Sequence, residues 1–536
     1  MKRFLALTVI VFISLIAVSQ WTTTKGDTDG SKTGTAANVA ASANFKITAP
    51  LKVPISQVGL NQIANESGHL VVSINMTWLL LTGFLVLFMQ VGFAFLVTGL
   101  TRAKNAGHMM MMNIASFAIA LIAYYFVGFA LQFGGIGIGG VGNLGGLSVL
   151  NGVLGHGHAG LVGLHGFMLQ TGGAYDVGVM AFFLFQVVFM ETAGYIIIGA
   201  IAERINFRTF ILAELAMGAL IYPVFGMWMW GGGWLSQLGN SLSLGHGAVD
   251  FAGSGVVHAT GGWAALALAM LLGPRIGKYK KDGTPRAFPG HNLPFVVVGT
   301  LVLVFGWMGF NPGSTFGATD LRIGLVAVNT LLAACFGLVV AMGWTWSKWG
   351  KPDISMSCNG MLAGLVAITA PCAFVAPWAA CMIGIIAGFL VCYSVEFFDR
   401  VLKIDDPCGA ISVHGVCGAW GVIAVGLFAD GTYGAGWNGV SGTVKGLFYG
   451  DAGQLGAQMF EVVVGFLWAW GVTWLIFAGV KKWKSLRVSP EVEIAGLDMG
   501  EFGALAYPDY VLSTIDLGGY DAETDGAVGA ASGRTE

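Results

Sequence analysis

Two histidines stand at the same distance from an aspartate in two separate apolar stretches of this 536-residue chain. His258 follows Asp250 by eight residues, and His414 follows Asp406 by eight residues. Imidazole can pass a proton, because its two nitrogens alternate as donor and acceptor. Either histidine alone would be read as a satisfied structural residue. Two in matching positions indicate a path for a proton or a small substrate, since ionisable residues at membrane depth are costly.

The composition places these histidines in a membrane protein. Hydrophobic residues make up 55% of the chain and charged residues 10%, against about 25% charged in a typical soluble domain. The 83 glycines suit helices that approach closely in a bilayer. A formal net charge of −2 leaves no basic surplus for binding nucleic acid. All seven cysteines lie within or at the edges of apolar runs in the second half, so no disulfide framework is predicted.

Eleven apolar segments are long enough to cross a bilayer. They are predicted at 76–100, 109–133, 178–202, 209–230, 251–273, 293–311, 323–345, 358–374, 376–397, 410–428 and 455–480. The fold class is therefore an all-α polytopic membrane protein. Asp250 and Asp406 open the fifth and tenth segments as helix caps, which places each histidine ~12 Å into the membrane. An outer Asp250 would also favour cations.

The chain ends and the basic residues set the predicted topology. Residues 1–19 match a secretory signal peptide, with an uncleaved twelfth helix as the alternative, and residues 20–75 form an extracytoplasmic extension. The loops then predicted as cytoplasmic hold thirteen Lys and Arg, whereas the outer loops hold only Arg322 and Lys445. The membrane domain spans 76–480, and the tail, 481–536, is cytoplasmic. Its part after Tyr507 is expected to be an acidic disordered extension.

Opposite directions for the fifth and tenth segments imply an inverted repeat. Segments one to five and six to ten are the two halves, and the eleventh is a final helix. The histidines then approach the midplane from opposite faces, where transporters of this kind bind their substrate.

Several ordered motifs resemble the ammonium transporters of the Amt/Mep/Rh superfamily over about residues 76–507. They are Ala202-Glu203-Arg204-Ile205, Trp230-Gly-Gly-Gly, Asp250-Phe-Ala-Gly with His258, Gly306-Trp-Met-Gly-Phe310-Asn311-Pro-Gly-Ser314, and Asp405-Asp406-Pro-Cys with His414-Gly-Val-Cys-Gly. Because the Rh branch generally lacks the Trp and Ser of these motifs, the resemblance favours the Amt branch.

The resemblance implies a role for each pore residue. Trp230, Ser314 and Phe189 correspond to an outer vestibule that attracts the ammonium ion through an aromatic face and a hydroxyl. Phe189 and Phe310 correspond to two stacked rings that close the pore below the vestibule. His258 and His414 are the pore histidines.

Less specific positions are also expected to line the pore. Trp307 and Tyr222 are placed there by position. Glu191 departs from the family, which usually has a small or apolar residue there. Two readings of Glu191 stay open: contact with a polar partner or neighbouring subunit, or a place in a proton route. A Gly-rich outer loop holds His156, His158 and His165 without a metal-binding spacing, so neither a metal nor a cofactor is predicted.

The implied function is recruitment of ammonium, its deprotonation near the phenylalanines, and conduction of ammonia past the histidines. The proton either returns outward or follows through the histidines. Methylammonium is the expected analogue substrate. The family also implies a homotrimer in the plasma membrane with the N-terminus outside. Its tail, in which Phe502 stands where His is common, works in prokaryotes with a PII-type protein.

Three other functions were weighed against transport. A receptor would use the same fold to sense ammonium, but such receptors usually append an output module, and only 481–536 follow the last segment. A neutral gas channel of the Rh type would carry no current. An intramembrane enzyme has little support, since the sequence holds no HExxH motif and no evident catalytic carboxylate pair.

Overall fold

The computed structural model describes residues 57–136, 147–155 and 159–508. The predicted signal peptide, the extension up to residue 56, His156, His158 and the chain after residue 508 lie outside the described residues.

Eleven apolar helical segments occur in the described residues, which confirms the predicted number. Ten are long enough to cross a membrane, and one is a shorter helix of 15 residues. We call them spans 1 to 11: Leu70–Leu100, Ala103–Phe133, Val177–Ile201, Phe207–Met229, Ser254–Leu272, Leu293–Gly313, Ile323–Trp349, Ile354–Ile368, Pro377–Val401, Ile411–Phe428 and Ala452–Trp483.

Not every span is a regular α-helix. Spans 2, 4, 5, 9 and 10 each contain one π-helical stretch. In that order the stretches are Tyr124–Gly128, Met217–Ile221, Ser254–Ala259, Phe397–Val401 and Ile411–Val416. Shorter helices lie at Leu238–Leu242 and Pro490–Ala495, and a π-turn lies at Asp498–Phe502. The two-residue strands β1 (Val153–Leu154) and β2 (Val162–Gly163) pair antiparallel.

The first helix begins earlier than the sequence predicted. It runs from Gln57 to Leu100, so the last part of the predicted extension is helical. Asn75, at the end of the predicted extension, is buried and accepts hydrogen bonds from the backbone N–H and the hydroxyl of Thr319. A polar residue paired in this way can lie inside a packed helix.

The spans alternate in direction, so their connections lie at two faces of the bundle. We call the face with segments 101–106, 202–206, 273–292, 350–353, 402–410 and 484–508 the tail face. The opposite one is the loop face. Spans 5 and 10 begin at opposite faces with the same arrangement of Asp, Gly and His, as an inverted repeat followed by a final helix requires.

Spans 5 and 10 cross with their backbones in contact. A Cβ atom on Gly262 would lie 2.2 Å from the backbone nitrogen of Gly415, and one on Gly418 would lie 2.5 Å from the carbonyl oxygen of Ser254. Small residues at both crossings are what allow helices in a membrane to pack this closely. The crossing therefore fixes the two histidine-bearing helices against each other.

Buried charges join the two halves at the tail face. Arg275 donates to both carboxylate oxygens of Asp405 at 2.8 and 2.9 Å, and also to Glu203 at 2.9 Å. Arg102 forms a second ion pair with Glu203 at 2.6 Å. Burial alone would raise the pKa of Glu203, but the two guanidinium groups overcome this effect and lower it to about 2. Glu203 also has a φ of 67°, which its ion pairs hold in place.

The tail packs against loops of its own chain. Asp498 accepts hydrogen bonds from the backbone N–H groups of Gly107 and His108, at the start of the α-helix in span 2. Glu493 binds Arg487 and the backbone N–H of Ile276. The tail thus contacts the segment after span 1 and the segment after span 5.

We predict that the substitution Gly262→Ala lowers the unfolding temperature of the detergent-solubilised protein. The new methyl group has no room beside Gly415, and overpacking of this kind costs roughly 1–3 kcal/mol. Gly471→Ala in span 11 is the matched control, because nothing lies within 4 Å of its Cβ position. Equal unfolding temperatures for both variants would contradict the tight crossing.

We also predict a loss of stability in acid that depends on Glu203. Its pKa lies below the ordinary 4.5, so its contribution is complete above that pH and is lost as the pH falls towards 2. Glu203→Gln removes one charge of a buried network, so the free energy of unfolding should fall by roughly 3–5 kcal/mol. The same substitution should flatten the acid dependence of the unfolding temperature. Asp282→Asn, at an exposed carboxyl in the segment after span 5, should change the profile far less, because the interactions of an exposed charge are screened by water.

Candidate functional site

Spans 5 and 10 each begin with an aspartate that binds the first backbone N–H groups of its helix. Asp250 accepts four such bonds at 2.9 Å, from residues 253 to 256. Asp406 accepts three, from residues 409 to 411. In both cases a glycine in the left-handed region, Gly253 (φ 112°) or Gly409 (φ 77°), makes the turn. Burial raises the pKa of both carboxyls, to about 6 for Asp406, although these N–H groups favour the ionised form.

The π-helical stretches Ser254–Ala259 and Ile411–Val416 carry the two histidines. The Nδ1 atoms of His258 and His414 lie 3.2 Å apart, and both rings are buried. The rings are nearly parallel, with centroids 5.3 Å apart. The sequence symmetry therefore corresponds to direct contact between the two side chains.

Aromatic rings extend the histidine pair towards the loop face. Phe310 stacks on His258 with a centroid distance of 5.4 Å, and Phe189 stacks on Phe310 at 4.0 Å. Trp307 lies beside His258 at 5.1 Å, and its indole N–H is held by Thr369. We call Phe189, Phe310, His258 and His414 the ring column.

Trp230 and Ser314 lie at the loop-face end of the ring column. The Trp230 ring is 6.3 Å from Phe189, and its indole N–H donates to the carbonyl oxygen of Asp250 at 2.7 Å. The hydroxyl of Ser314 donates to the carbonyl oxygen of Phe310 at 2.8 Å. Because both side chains spend their donors on backbone carbonyls, an aromatic face and hydroxyl lone pairs remain for a ligand.

A cavity lies at the other end of the column, beside His414. Phe93, Tyr195, Asn359 and Cys408 are among the residues that line it. Sequence reasoning missed Phe93 and Tyr195. Both are aromatic residues within apolar spans, where a single aromatic carries no signal until its neighbours are known.

The three remaining predicted pore-lining residues have different neighbours. Glu191 follows Phe189 by two residues, so its side chain points about 200° away from that ring, and it accepts a hydrogen bond from Gln90 at 2.7 Å. Tyr222 packs against Tyr124 at 6.5 Å. Trp307 lies beside His258. That these residues line the pore stays a prediction.

The described residues contain no group of three His, Cys, Asp or Glu side chains arranged to hold a metal ion. His165, from the Gly-rich loop, lies with its Nδ1 atom 3.2 Å from the carbonyl oxygen of Val149. All seven cysteines are unpaired.

Comparison with known proteins identifies the family. The sequence model of the Ammonium Transporter Family matches residues 77–507. The chain belongs to the ammonium transporter family. It is 47% identical over 446 residues to ammonium transporter Amt2 of Archaeoglobus fulgidus, which covers 83% of this chain and 90% of the relative.

Solved structures of the family have the same fold. A structure described as a Sensor Amt Protein matches with a TM-score of 0.70 and 37% identity, over 81% of this chain and all of the other. Mep2 of Candida albicans matches with a TM-score of 0.66 and 28% identity, over 81% and 90% of the two chains. This ammonium transporter family member is therefore a membrane protein with the Amt/Mep architecture.

We predict that Asp250→Asn lowers the unfolding temperature of this family member. An amide offers one acceptor oxygen where the carboxylate offers two, so about half of the four N–H groups lose their partner, at roughly 1–3 kcal/mol for each buried group left unpaired. Asp451→Asn is the control, because Asp451 caps span 11 through one N–H group, that of Gln454. The four-bond cap is unimportant for stability if the two variants unfold at the same temperature.

Proposed function

We propose that this protein transports ammonium by binding the ion at the loop face, removing a proton, and conducting ammonia along the ring column. The observation that carries the proposal is the contact between two buried imidazoles at one end of a stacked aromatic column. This arrangement offers a narrow apolar path with a proton-exchanging group inside it.

Trp230 and Ser314 recruit the ion in this mechanism. A compact cation is attracted to the face of an indole ring, by roughly 0.5–2 kcal/mol. Ammonium also needs acceptors for its N–H groups, and the Ser314 oxygen keeps lone pairs free for them. The hydrogen bond from Trp230 to the Asp250 carbonyl fixes the ring, so little side-chain entropy is lost on binding.

The stacked pair Phe189 and Phe310 excludes the charged form. Moving an ion past two phenyl rings without its water costs several kcal/mol or more, whereas neutral ammonia crosses cheaply. Potassium has a similar size but no proton to lose. Deprotonation before the rings therefore selects ammonium over potassium.

The histidine contact determines which protonation states are allowed. A hydrogen bond between two Nδ1 atoms requires one to donate and the other to accept, so the two neutral rings are opposite tautomers. The Nε2 atom of His258 is buried without a protein partner, which leaves it for a passing ammonia. Proton transfer between the Nδ1 atoms, with uptake at one Nε2 and release at the other, would carry a proton across with the ammonia. Return of the proton to the loop face would instead leave transport electroneutral.

Orientation and assembly belong to the same proposal. The excess of basic residues places the tail face in the cytoplasm and the loop face outside the plasma membrane. A homotrimer and a PII-type partner at the tail face are supported by the family resemblance. An ordered tail packed on the loops of its own chain gives such a partner a defined surface.

Transport is tested with purified protein in liposomes. A saturable current on a solid-supported membrane after pulses of ammonium or methylammonium, and none after potassium or sodium, is the expected result. Uptake of labelled methylammonium without current would favour neutral conduction of the Rh type. Neither uptake nor current would contradict transport and favour a sensor.

The double variant His258→Ala, His414→Ala is expected to lose selective uptake. Removing a positioned proton-transfer group typically reduces a rate by roughly 10²-fold or more, and the space left admits hydrated potassium. Uptake of labelled methylammonium and of potassium measures both effects. His165→Ala, in the loop before span 3, is the control. Unchanged uptake together with unchanged potassium exclusion would refute the role of the pair.

A further inference from the structure

Four spans bring polar side chains together away from the ring column. Gln90 of span 1 donates to Glu191 of span 3 at 2.7 Å. Ser116 of span 2 donates to Glu214 of span 4 at 2.8 Å. Both glutamates are buried, at 1% and 0% exposure. We call Glu191 and Glu214 the carboxyl pair.

The two carboxyl groups lie against the same side of span 3. Gly194 follows Glu191 by three residues, so both lie on one helix face. A Cβ atom on Gly194 would be 2.4 Å from Glu214 Oε2 and 3.3 Å from the hydroxyl of Ser116. The Glu214 carboxyl therefore occupies the space left by the missing side chain of Gly194, about one helical turn (~5.4 Å) from the Glu191 position.

The carboxyl pair has more acceptor oxygens than donors. Oε1 of Glu191 and Oε1 of Glu214 are both buried without a hydrogen-bond partner. The same is true of Oδ1 of Asn113, which is one turn before Ser116 in span 2. An unpartnered oxygen on each carboxyl of the pair means that donors are missing, because buried polar atoms are nearly always hydrogen-bonded.

No cationic side chain among the described residues donates a hydrogen bond to the carboxyl pair. The titratable groups that face the pair are the carboxyls themselves and Tyr195, one turn after Glu191. Spans 1 and 2 contribute an amide and a hydroxyl. Span 5 packs against span 3 through Gly261, which contacts the backbone of Ala193. Two neighbouring carboxylates without a cation cannot both stay ionised in such a setting.

A proton is the ligand that this geometry lacks. Protonation turns a carboxylate oxygen into an O–H donor and removes a charge that is expensive to bury. We propose that Glu191 and Glu214 form a second proton-binding site in the membrane and that this site holds an exchangeable proton. The site is separate from the histidine pair. Tyr195 also lines the cavity beside His414, so one residue separates the carboxyl pair from that cavity.

Infrared spectroscopy tests this site without any substrate. A protonated carboxyl has a carbonyl stretch that is separate from the ionised bands and shifts in D₂O. In the intact protein the band is expected to decrease reversibly as the pH is raised. Glu191→Gln and Glu214→Gln should each remove part of this pH-dependent band, because glutamine keeps the shape and the hydrogen bond but cannot titrate. Asp406, whose pKa is also raised, accounts for another part in every variant.

The control is Glu491→Gln, an exposed carboxyl of the tail, which should leave the band unchanged. A band from Glu461, a third buried glutamate in span 11, should persist in every variant. The proposal is overturned if neither glutamine variant alters the band, or if the band they remove does not respond to pH. Because ammonium is absent, failure of this site and failure of the proposed transport are separate results.

Discussion

The close approach of spans 5 and 10 is the constraint on which the rest of the structure depends. Helices in a membrane gain no hydrophobic driving force from each other, so their association relies on backbone contact and hydrogen bonds. At Gly262 and Gly415 the backbones meet with no side chain between them. Only at this separation can a histidine from each helix reach its counterpart.

Buried charged side chains are distributed unevenly between the tail face and the ring column. Arginines and carboxylates pair at the tail face, where Arg275 is held between Glu203 and Asp405. Along the ring column the side chains are neutral. Asp250 is a buried carboxylate next to the column's loop-face end, beside the buried Glu461, and four backbone N–H groups rather than a cation bind it. Aromatic and hydroxyl groups, rather than an ion pair, therefore lie at that end of the column.

Much of this organisation could be predicted from the sequence because it is local or repeated. The span number follows from apolar length. The His258 and His414 relationship follows from the shared spacing to Asp250 and Asp406. The motif resemblance led to Trp230, which contacts Phe189, and to Ser314, which contacts Phe310.

Other features depend on contacts between distant segments. The start of the first helix at Gln57 was not predicted, because the residues before 76 show no hydrophobic period. The pairing of Asn75 with Thr319, far along the chain, was equally hidden. The orientation of Glu191 depends on Gln90, about one hundred residues away. Phe93 and Tyr195 became recognisable only when the folded chain placed them around the cavity beside His414. Apolar periodicity gives no information about such partners, since it describes one segment at a time.

The ion pair between Arg275 and Asp405 has a mechanical consequence. It links the segment after span 5 to the segment before span 10, and so joins the two inverted halves at one face, while the glycine crossing joins them inside the membrane. A rocking motion of one half against the other would have to break both connections at once, which is expensive for a buried pair. The backbone is in this sense a fixed frame for the two histidine-bearing spans.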